Sequence, residues 1–348
     1  MSEGDNREQS ASNNPAELDD GQLADALKRD YNAAQREVGK KIIGQDDVVD
    51  QVLLTLLGGG NSLLMGVPGL AKTLLINTVA QVVDLKFSRI QFTPDLMPSD
   101  ITGTDLVQED PDTGHRRLEF LQGPVFANIV LADEINRTPP KTQAALLEAM
   151  QEHSVTVQGR TYHLDEPFFV FATQNPIELE GTYPLPEAQL DRFTFEILLD
   201  YLSEDEELGV VTATTSDEKP NLESVITGEQ LLAYQRLVRR MPTAPSVARY
   251  ALQIVRATRP GATEDDFVKA YLAYGASVRA AQFLVLSAKA RALTRGATHV
   301  GYEDVRALVR PVLRHRLLKS FKAESEGVST DDVIEHVVGS VTEPKGDA

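Results

Sequence analysis

The chain has 348 residues, of which 42% are hydrophobic and 25% charged, a composition typical of soluble globular proteins with room for two domains. It contains no cysteine, which excludes disulfides, thiolate metal sites and cysteine nucleophiles. No apolar stretch approaches the length that spans a membrane, and the polar, acidic N-terminus is unlike a signal peptide. We therefore expect a cytoplasmic protein without membrane insertion.

The net charge of −18 is unevenly distributed along the chain. Residues 1–225 hold 39 acidic and 16 basic side chains, residues 226–322 hold 6 and 17, and residues 323–348 hold 7 and 1. Either these blocks are solvated helix faces, or unlike charges attract each other across an interface between copies. In the second case, salt should weaken the assembly.

The sequence pattern divides the chain into five segments. Between residues 22 and 202, short apolar runs alternate with helices, which predicts an α/β core with a parallel sheet covered on both faces. The other segments are a disordered polar tail, an acidic linker, a small all-helical lid domain and an acidic C-terminal tail, at 1–21, 203–225, 226–322 and 323–348.

Within the core, the predicted strands are 62–65, 87–92, 129–132, 168–172 and 195–199. Predicted core helices cover 23–38, a stretch that begins at Asp46, 72–82, 140–151 and 186–192. Two segments have the pattern of hairpins, 103–121, with a turn at 110–114, and 154–164. The predicted lid helices are 228–241, 246–258, 277–296 and 302–319, the last kinked by Pro311.

A candidate phosphate loop follows the first strand and reads Gly66-Val67-Pro68-Gly69-Leu70-Ala71-Lys72-Thr73. A glycine-rich turn presents backbone N–H groups, and the next helix adds its positive N-terminal end, so the arrangement attracts phosphate. Lys72 is predicted to reach the β- and γ-phosphates of a nucleoside triphosphate, and the Thr73 hydroxyl to ligate Mg²⁺. Ala71 stands at the second glycine of the common pattern, which is tolerable only if this residue is helical with a negative φ.

Two adjacent carboxylates, Asp133 and Glu134, end the apolar run 129–132. Beside a phosphate loop, the first can hold Mg²⁺ and the second can polarise the attacking water, as nucleotide hydrolysis requires. An Asp-Glu pair after a strand is also a common solvated turn. Its position about sixty residues after the phosphate loop, at the edge of the same inferred sheet, favours the catalytic interpretation.

Asn175 follows the next predicted strand, within Thr173-Gln174-Asn175-Pro176. An amide at this strand end would lie between the phosphates and the carboxylates, where it could orient the hydrolytic water. The alternative is an Asn-Pro turn, which is frequent in any protein. The position in the strand order favours function.

Together these residues resemble the MoxR group of AAA+ ATPases, from residue 42 to 318. The likeness rests on the phosphate loop and on the stretches 131–137, 173–176 and 181–193. Alanine before the phosphate-loop lysine is usual in that group. The resemblance implies an AAA+ core with a helical lid, ATP and Mg²⁺ as cofactors, and assembly into a homo-oligomeric, hexameric ring. It also implies a chaperone-like activity on a protein client, often with a von Willebrand factor A-domain partner.

The resemblance assigns further residues by position. Arg192 matches the arginine finger that reaches a neighbouring subunit's γ-phosphate, although an Asp191–Arg192 surface pair is the plainer alternative. Arg279 lies in the sensor-2 motif, where Ser277 would cap a lid helix, and it can act in cis or in trans. Further members of the predicted nucleotide-binding set are Ile43, Gly44 and Leu74. Gln91 ends the second strand, where some relatives place a switch residue, and the hairpins match inserts that face the central pore.

Two other functions compete with this interpretation. A nucleic-acid motor is possible because helicases share both hairpins and the lid is basic, but 154–164 holds one arginine, one tyrosine and one histidine, so nucleic acid is the weaker prediction. A nucleotide-binding scaffold without turnover is disfavoured because the catalytic set, including Glu134, is complete.

Overall fold

The computed structural model describes residues 18–109, 116–177, 181–217 and 220–344. In chain order, its strands are β1 (Ser62–Met65), β2 (Phe87–Gln91), β3 (Gly103–Glu109), β4 (Arg116–Gln122), β5 (Ile129–Asp133), β6 (Ser154–Val157), β7 (Arg160–His163), β8 (Phe169–Gln174), β9 (Phe195–Leu198), β10 (Leu272–Tyr274) and β11 (Leu318–Lys319). Its core helices are α1 (Asp20–Gly39), α2 (Asp46–Gly58), α3 (Lys72–Val82), α4 (Pro98–Thr102), α5 (Pro140–Glu152), α6 (Glu187–Leu190) and α7 (Glu204–Thr215). The lid helices are α8 (Gly228–Arg240), α9 (Pro245–Ala257), α10 (Asp266–Tyr271), α11 (Val278–Arg295), α12 (Tyr302–Leu313), α13 (Phe321–Glu326) and α14 (Thr330–Ser340).

The central sheet confirms the predicted fold class. Its five strands are all parallel, in the order β2-β5-β8-β1-β9. β8 therefore lies between β1, which leads into the phosphate loop, and β5, which ends at Asp133. Because parallel strands end at the same edge of a sheet, the segments after β1, β8 and β5 are neighbours there.

The strands are apolar because both faces of the sheet are covered. All five residues of β5 are buried. Successive side chains point to opposite faces, so Leu63 and Val130 join one buried cluster, whereas Leu64 and Leu131 join the other. The second of these clusters also contains side chains of α1, α2 and the lid, so the core and the lid share one hydrophobic interior.

Both predicted hairpins are antiparallel pairs, β3 with β4 and β6 with β7. Phe120 of the first stacks on Tyr162 of the second, with ring centroids 4.0 Å apart, so the hairpins support each other. Val107 and Leu118 of the first hairpin are exposed. The turn predicted at 110–114 lies outside the described residues.

The segment predicted as a linker, 203–225, contains the helix α7. Ser203 and Glu206 form a capping box at its N-terminus, and the four residues of the first turn are acidic. Acidic side chains stabilise the positive end of a helix, so the composition that suggested a linker belongs to a helix start.

The boundary placed at residue 322 is also wrong, because the lid continues through α13 and α14. Val333, Ile334 and Val337 of α14 are buried in the shared interior. Three arginines of α12 and the turn after it pair with carboxylates of this C-terminal part, in the pairs Arg306–Glu343, Arg310–Glu335 and Arg314–Asp331. Much of the acidic charge assigned to a tail thus neutralises the lid itself.

Two smaller differences concern the ends of elements. Helix α1 begins at Asp20, with a capping box between Asp19 and Gln22, so structure starts within the segment 1–21 predicted as disordered, of which 1–17 lie outside the described residues. The helix predicted over 302–319 is instead α12, with Pro311 inside it, followed by a 3₁₀ turn at Arg314–Arg316 and by β11.

Within the described ranges, no helix is long and apolar enough to cross a membrane.

Candidate nucleotide site

The phosphate loop connects β1 to α3 and approaches other backbone closely. A Cβ at Gly66 would lie 2.9 Å from the carbonyl oxygen of Leu199, and Gly69 has a φ of +91°. Ala71 has φ 56° and ψ 22°, so the prediction of a negative φ is wrong. This left-handed conformation costs an alanine about 1–2 kcal/mol, and such strain is typical of ligand-binding loops.

Lys72 and Thr73 open α3 directly after this strained residue. The Lys72 ammonium lies within the loop, where it donates to the carbonyl oxygens of Gly66 and Val67. The Thr73 side chain is half-buried. The loop therefore presents an ammonium and a hydroxyl at the N-terminus of a helix, which suits a phosphate and a hard cation.

A cavity of about 810 Å³ lies beside the loop. Of the predicted nucleotide-binding residues, it is lined by Ile43, Gly69, Leu70, Ala71 and Leu74. Its opposite wall is α7, through apolar side chains that include Val210 and Val211. Its size and apolar lining are typical of a pocket for a small ligand.

Gly44 does not line this cavity among the described residues; it has a φ of +71° and lies against the side chain of Glu206 in α7, where a Cβ would come within 2.6 Å. Val67, Pro68, Lys72 and Thr73 are in the loop but outside the cavity wall. The sequence prediction missed α7 as a wall; the Ser203–Glu206 capping pattern was the signal that could have found it.

Asp133 is buried, and both of its carboxylate oxygens are engaged. Oδ1 accepts a hydrogen bond from the hydroxyl of Thr173 at 2.6 Å. Oδ2 accepts from Nε and Nη2 of Arg89, at 3.0 and 2.6 Å. Neither Thr173 nor Arg89 had been predicted as a site residue.

Glu134 adopts a left-handed conformation, with φ 57° and ψ 49°. Its N–H donates to Thr173 Oγ1 at 2.9 Å, so one hydroxyl holds both members of the acidic pair. Its side chain accepts from Gln91 Nε2 at 2.9 Å and lies 3.3 Å from Arg137. The contacts with Gln91 and Arg137 hold the Glu134 carboxylate at this strand end.

Asn175 follows β8 and is buried, 5% exposed. Its Oδ1 accepts from the N–H of Ile177 at 3.2 Å, which also orients the amide. Among the residues that the structure describes, its buried Nδ2 has no hydrogen-bond partner. A buried donor without a partner is costly, so this atom fits a site in which an oxygen of a ligand accepts from it.

Arg192 and Arg279 share a recess of about 430 Å³ with Asp191 and Ser277. Arg279 Nη1 lies 3.4 Å from Asp191, and Ser277 caps α11 by accepting from the Arg279 N–H at 3.1 Å. The alternative of an Asp191–Arg192 surface pair is not formed, because Asp191 pairs with Arg316 and Arg279. In the described part of the chain, Arg192 has no ion pair. Neither Arg192 nor Arg279 is among the described residues that line the 810 Å³ cavity.

Comparison with known proteins agrees with this geometry. The family model of the "ATPase family associated with various cellular activities (AAA)" matches residues 61–195, and that of the "AAA lid domain" matches residues 265–337. The fold and the site thus define an AAA+ ATPase, a class that binds nucleotide.

The relatives define the class further. The chaperone MoxR1 of Mycobacterium tuberculosis is 42% identical over 329 residues, which cover 93% of this chain and 86% of the relative. YeaC of Bacillus subtilis is 40% identical over 312 residues, 89% of this chain and 94% of the relative. The crystal structure of "a putative ATPase" from Cytophaga hutchinsonii matches with a TM-score of 0.85 at 41% identity, over 93% of this chain and 97% of the other. The chain belongs to the MoxR family of AAA+ ATPases.

Proposed function

We propose that this protein hydrolyses ATP with Mg²⁺ at sites shared between copies in a homo-oligomeric, hexameric ring, and that the energy remodels a protein client. The observation that carries the proposal is the meeting of three strand ends. The phosphate loop, the Asp133–Glu134 pair and Asn175 follow the neighbouring strands β1, β5 and β8.

Each residue of this set has a role that its chemistry supports. The cavity between the loop and α7 would take the adenosine, with Ile43 and Leu74 on its walls. Thr73 and Asp133 supply the oxygen ligands that Mg²⁺ prefers. When bound with the nucleotide, that cation would neutralise charge on the β- and γ-phosphates. Lys72 would turn from the loop carbonyls towards the phosphates.

In this proposal, Glu134 accepts a proton from the attacking water, and Asn175 orients that water. Both oxygens of Asp133 are engaged by Arg89 and Thr173, whereas Glu134 accepts from the Gln91 amide and lies 3.3 Å from Arg137, so we assign the role of base to Glu134. The Asn175 amide would donate to that water or to the γ-phosphate through Nδ2, the buried donor without a partner in the described ranges.

The transition-state charge would be completed by arginines of a neighbouring copy. Arg192 and Arg279 lie together in the 430 Å³ recess, apart from the described lining of the chain's own cavity. We assign both arginines to action in trans, because Arg192 matches the arginine finger and Arg279 shares its recess. An arginine in trans can be worth roughly 10³–10⁵ in rate, so turnover would require assembly.

The proposal of a protein client rests on the hairpins and on the relatives. The hairpin β3–β4 exposes Val107, Leu118 and Leu121, which suit contact with protein better than contact with phosphate. The name of the mycobacterial relative describes a chaperone. A von Willebrand factor A-domain partner and a cytoplasmic location stay predictions.

We propose only a small role for attraction between unlike charges in ring assembly. The C-terminal carboxylates already pair with lid arginines, so less basic charge is available to attract a neighbouring core. Sedimentation across a salt series would measure what remains: a weak salt effect would leave apolar contacts as the main force.

Glu134→Gln tests the proposed hydrolysis. Nucleotide binding should persist while turnover falls by roughly 10²–10⁴, because the amide cannot accept the proton of water. Glu148→Gln, at an exposed position on α5, is the matched control and should leave both unchanged. Unchanged turnover in Glu134→Gln with binding intact would contradict the assignment.

A further inference from the structure

The guanidinium of Arg316 is buried where the lid meets the core. Arg316 ends the 3₁₀ turn after α12, and its side chain is 1% exposed. It lies over the ring of Phe283 in α11, 4.9 Å from the centroid. A buried arginine is costly unless each donor is used, so its partners indicate why it is there.

Besides the Val312 carbonyl and His315 Nε2 in its own segment, those partners are the residues on either side of Arg192. Nε donates to the Asp191 carboxylate at 2.9 Å, and Nη2 donates to the backbone carbonyl of Asp191 at 2.9 Å and to that of Phe193. Nη1 reaches the carbonyl of Thr194 at 3.3 Å. One lid side chain therefore holds the backbone before and after the residue that matches the arginine finger.

Asp191 extends this network to the second arginine. Its carboxylate also accepts from Ser277 Oγ at 2.9 Å and from Arg279 Nη1 at 3.4 Å. Burial lowers the pKa of Arg316 to about 10, against the opposing effect of Asp191, so the guanidinium is charged at neutral pH. The charge of Arg316 is thus balanced by the same carboxylate that orients Arg279.

We propose that Arg316 and Asp191 are positioning residues that hold Arg192 and Arg279 in the one arrangement able to reach a neighbouring copy's nucleotide. The proposal rests on the proposed action of Arg192 in trans. Arg316 is too buried to touch a phosphate itself, so it acts through Asp191 and the backbone carbonyls. Because Arg316 moves with the lid, a change of lid angle would move the finger segment.

The planar fork of arginine is needed for this geometry. Around Arg192, it reaches one carboxylate and the carbonyls of three residues, Asp191, Phe193 and Thr194, at fixed angles. A lysine has the charge but a single nitrogen, so it cannot bridge the same set. Arg316→Lys therefore separates positioning from charge balance.

Two variants and one control form the test. Arg316→Lys keeps the buried charge, and Asp191→Asn keeps the shape and an acceptor for Ser277. Arg314→Gln is the matched control, since Arg314 pairs with Asp331 inside the lid, two residues away, and does not bond the finger segment. We expect kcat to fall at least about tenfold in both variants, with nucleotide affinity near that of the control, and we expect the thermal midpoint to fall as well, because each variant breaks a buried ion pair.

Subunit mixing distinguishes positioning from a general structural defect. Arg192→Ala keeps its own site but lacks the finger, whereas Glu134→Gln lacks the base but keeps the finger. If the finger acts in trans, mixing these two restores turnover. We expect Arg316→Lys and Asp191→Asn to behave like Arg192→Ala, restored by Glu134→Gln and not by Arg192→Ala.

The other outcomes have different meanings. If Arg192→Ala and Glu134→Gln do not restore each other, the proposed shared site fails. If they do, but neither positioning variant is restored by Glu134→Gln, the inference alone is overturned. Restoration by Arg192→Ala instead would place the defect in the variant's own site and would also overturn it. Should Arg316→Lys lower the thermal midpoint strongly, Asp191→Asn decides.

Discussion

Arg89 donates two hydrogen bonds to a single carboxylate oxygen of Asp133, from Nε at 3.0 Å and from Nη2 at 2.6 Å. The two residues lie on the adjacent parallel strands β2 and β5. Nη2 of Arg89 also donates to Gln91, whose amide donates to Glu134. Strand β2 therefore holds both carboxylates that we expect to act on the nucleotide.

The first prediction concerns the competition between Arg89 and a bound cation for the Asp133 carboxylate. Asp133 must release Arg89 from Oδ2 before that oxygen can face a cation, so Arg89→Gln should tighten Mg²⁺-dependent nucleotide binding. The Arg89 side chain is 48% exposed, and for such a pair we expect about 1 kcal/mol, roughly fivefold in Kd. Titration of a fluorescent ATP analogue against Mg²⁺ measures it. Arg240→Gln, which breaks a surface pair with Asp20, is the control; weaker binding in Arg89→Gln would make Arg89 part of the binding set.

The second prediction concerns Asn175. Asn175→Ala should lower kcat by roughly 10²-fold, the usual loss when a donor aimed at developing charge is removed. Stability should change by only about 1 kcal/mol, because one bond, to the N–H of Ile177, is lost. Asn61→Ala is the converse control. Asn61 lies directly before β1, and its Oδ1 accepts a hydrogen bond from the Val170 N–H at 2.7 Å. This variant should therefore lose stability while its kcat is kept. Urea unfolding and single-turnover rates give both quantities.

The third prediction uses the left-handed Ala71. Glycine at this position removes about 1–2 kcal/mol of backbone strain from the folded state. It also lowers stability by about 0.4–1 kcal/mol, because it increases the conformational entropy of the unfolded chain. Ala71→Gly should therefore raise the free energy of unfolding slightly, by about 0.5–1 kcal/mol. Ala24→Gly, within the regular helix α1, should instead lower it by about 1 kcal/mol. Equal losses at both positions would show that Ala71 has a negative φ.

The fourth prediction is a pH dependence from Glu196 of β9. Burial raises the pKa of Glu196 to about 7, against the effect of Arg314 and reinforced by Asp331. Between its ordinary value of 4.5 and about 7, the folded protein binds more protons than the unfolded chain, so this group makes stability fall as pH rises. Glu196→Gln should remove that fall and be more stable at pH 8 by on the order of 2–3 kcal/mol.

His315 supplies an internal control for this measurement. Its Nδ1 lies 3.9 Å from Glu196, and burial, together with Arg316, lowers the pKa of His315 well below 6.5. A buried neutral histidine loses stability as pH falls below its ordinary pKa, the opposite sign. The acidic side of the profile should thus persist in Glu196→Gln. Because these two slopes oppose each other between pH 4.5 and 6.5, the test is the difference between variant and wild type: a stability gain of Glu196→Gln that does not grow between pH 4.5 and 7 would contradict the assignment to Glu196.

The fifth prediction tests whether the C-terminal helices belong to the lid. A chain that stops after Lys322 loses three buried side chains, Val333, Ile334 and Val337, worth about 1.5–3 kcal/mol each. The total, on the order of 5 kcal/mol, approaches the stability of a whole domain. The truncated protein should lose its cooperative thermal transition, whereas Glu335→Gln, which removes only an exposed ion pair, should keep it.

Elements with a contiguous signal could be predicted from the sequence. The five core strands are apolar because both faces of the sheet are covered, and this leaves a run in the chain that can be recognised directly. The phosphate loop, the acidic pair after β5 and the cap Ser277 are likewise local patterns. Helix α7 carried its signal too, in Ser203 and Glu206, but its acidity was interpreted as a linker.

Contacts between distant parts of the chain were decided only by the tertiary structure. Arg89 and Asp133 are 44 residues apart, and Asp191 and Arg316 are 125 apart, so no local pattern joins them. Strand order brings the first pair together and lid packing the second. The sequence by itself determined the fold class, the family and the residue types of the site. The tertiary structure decided which charges neutralise each other, because a charged side chain takes its partner from the surface that packs against it.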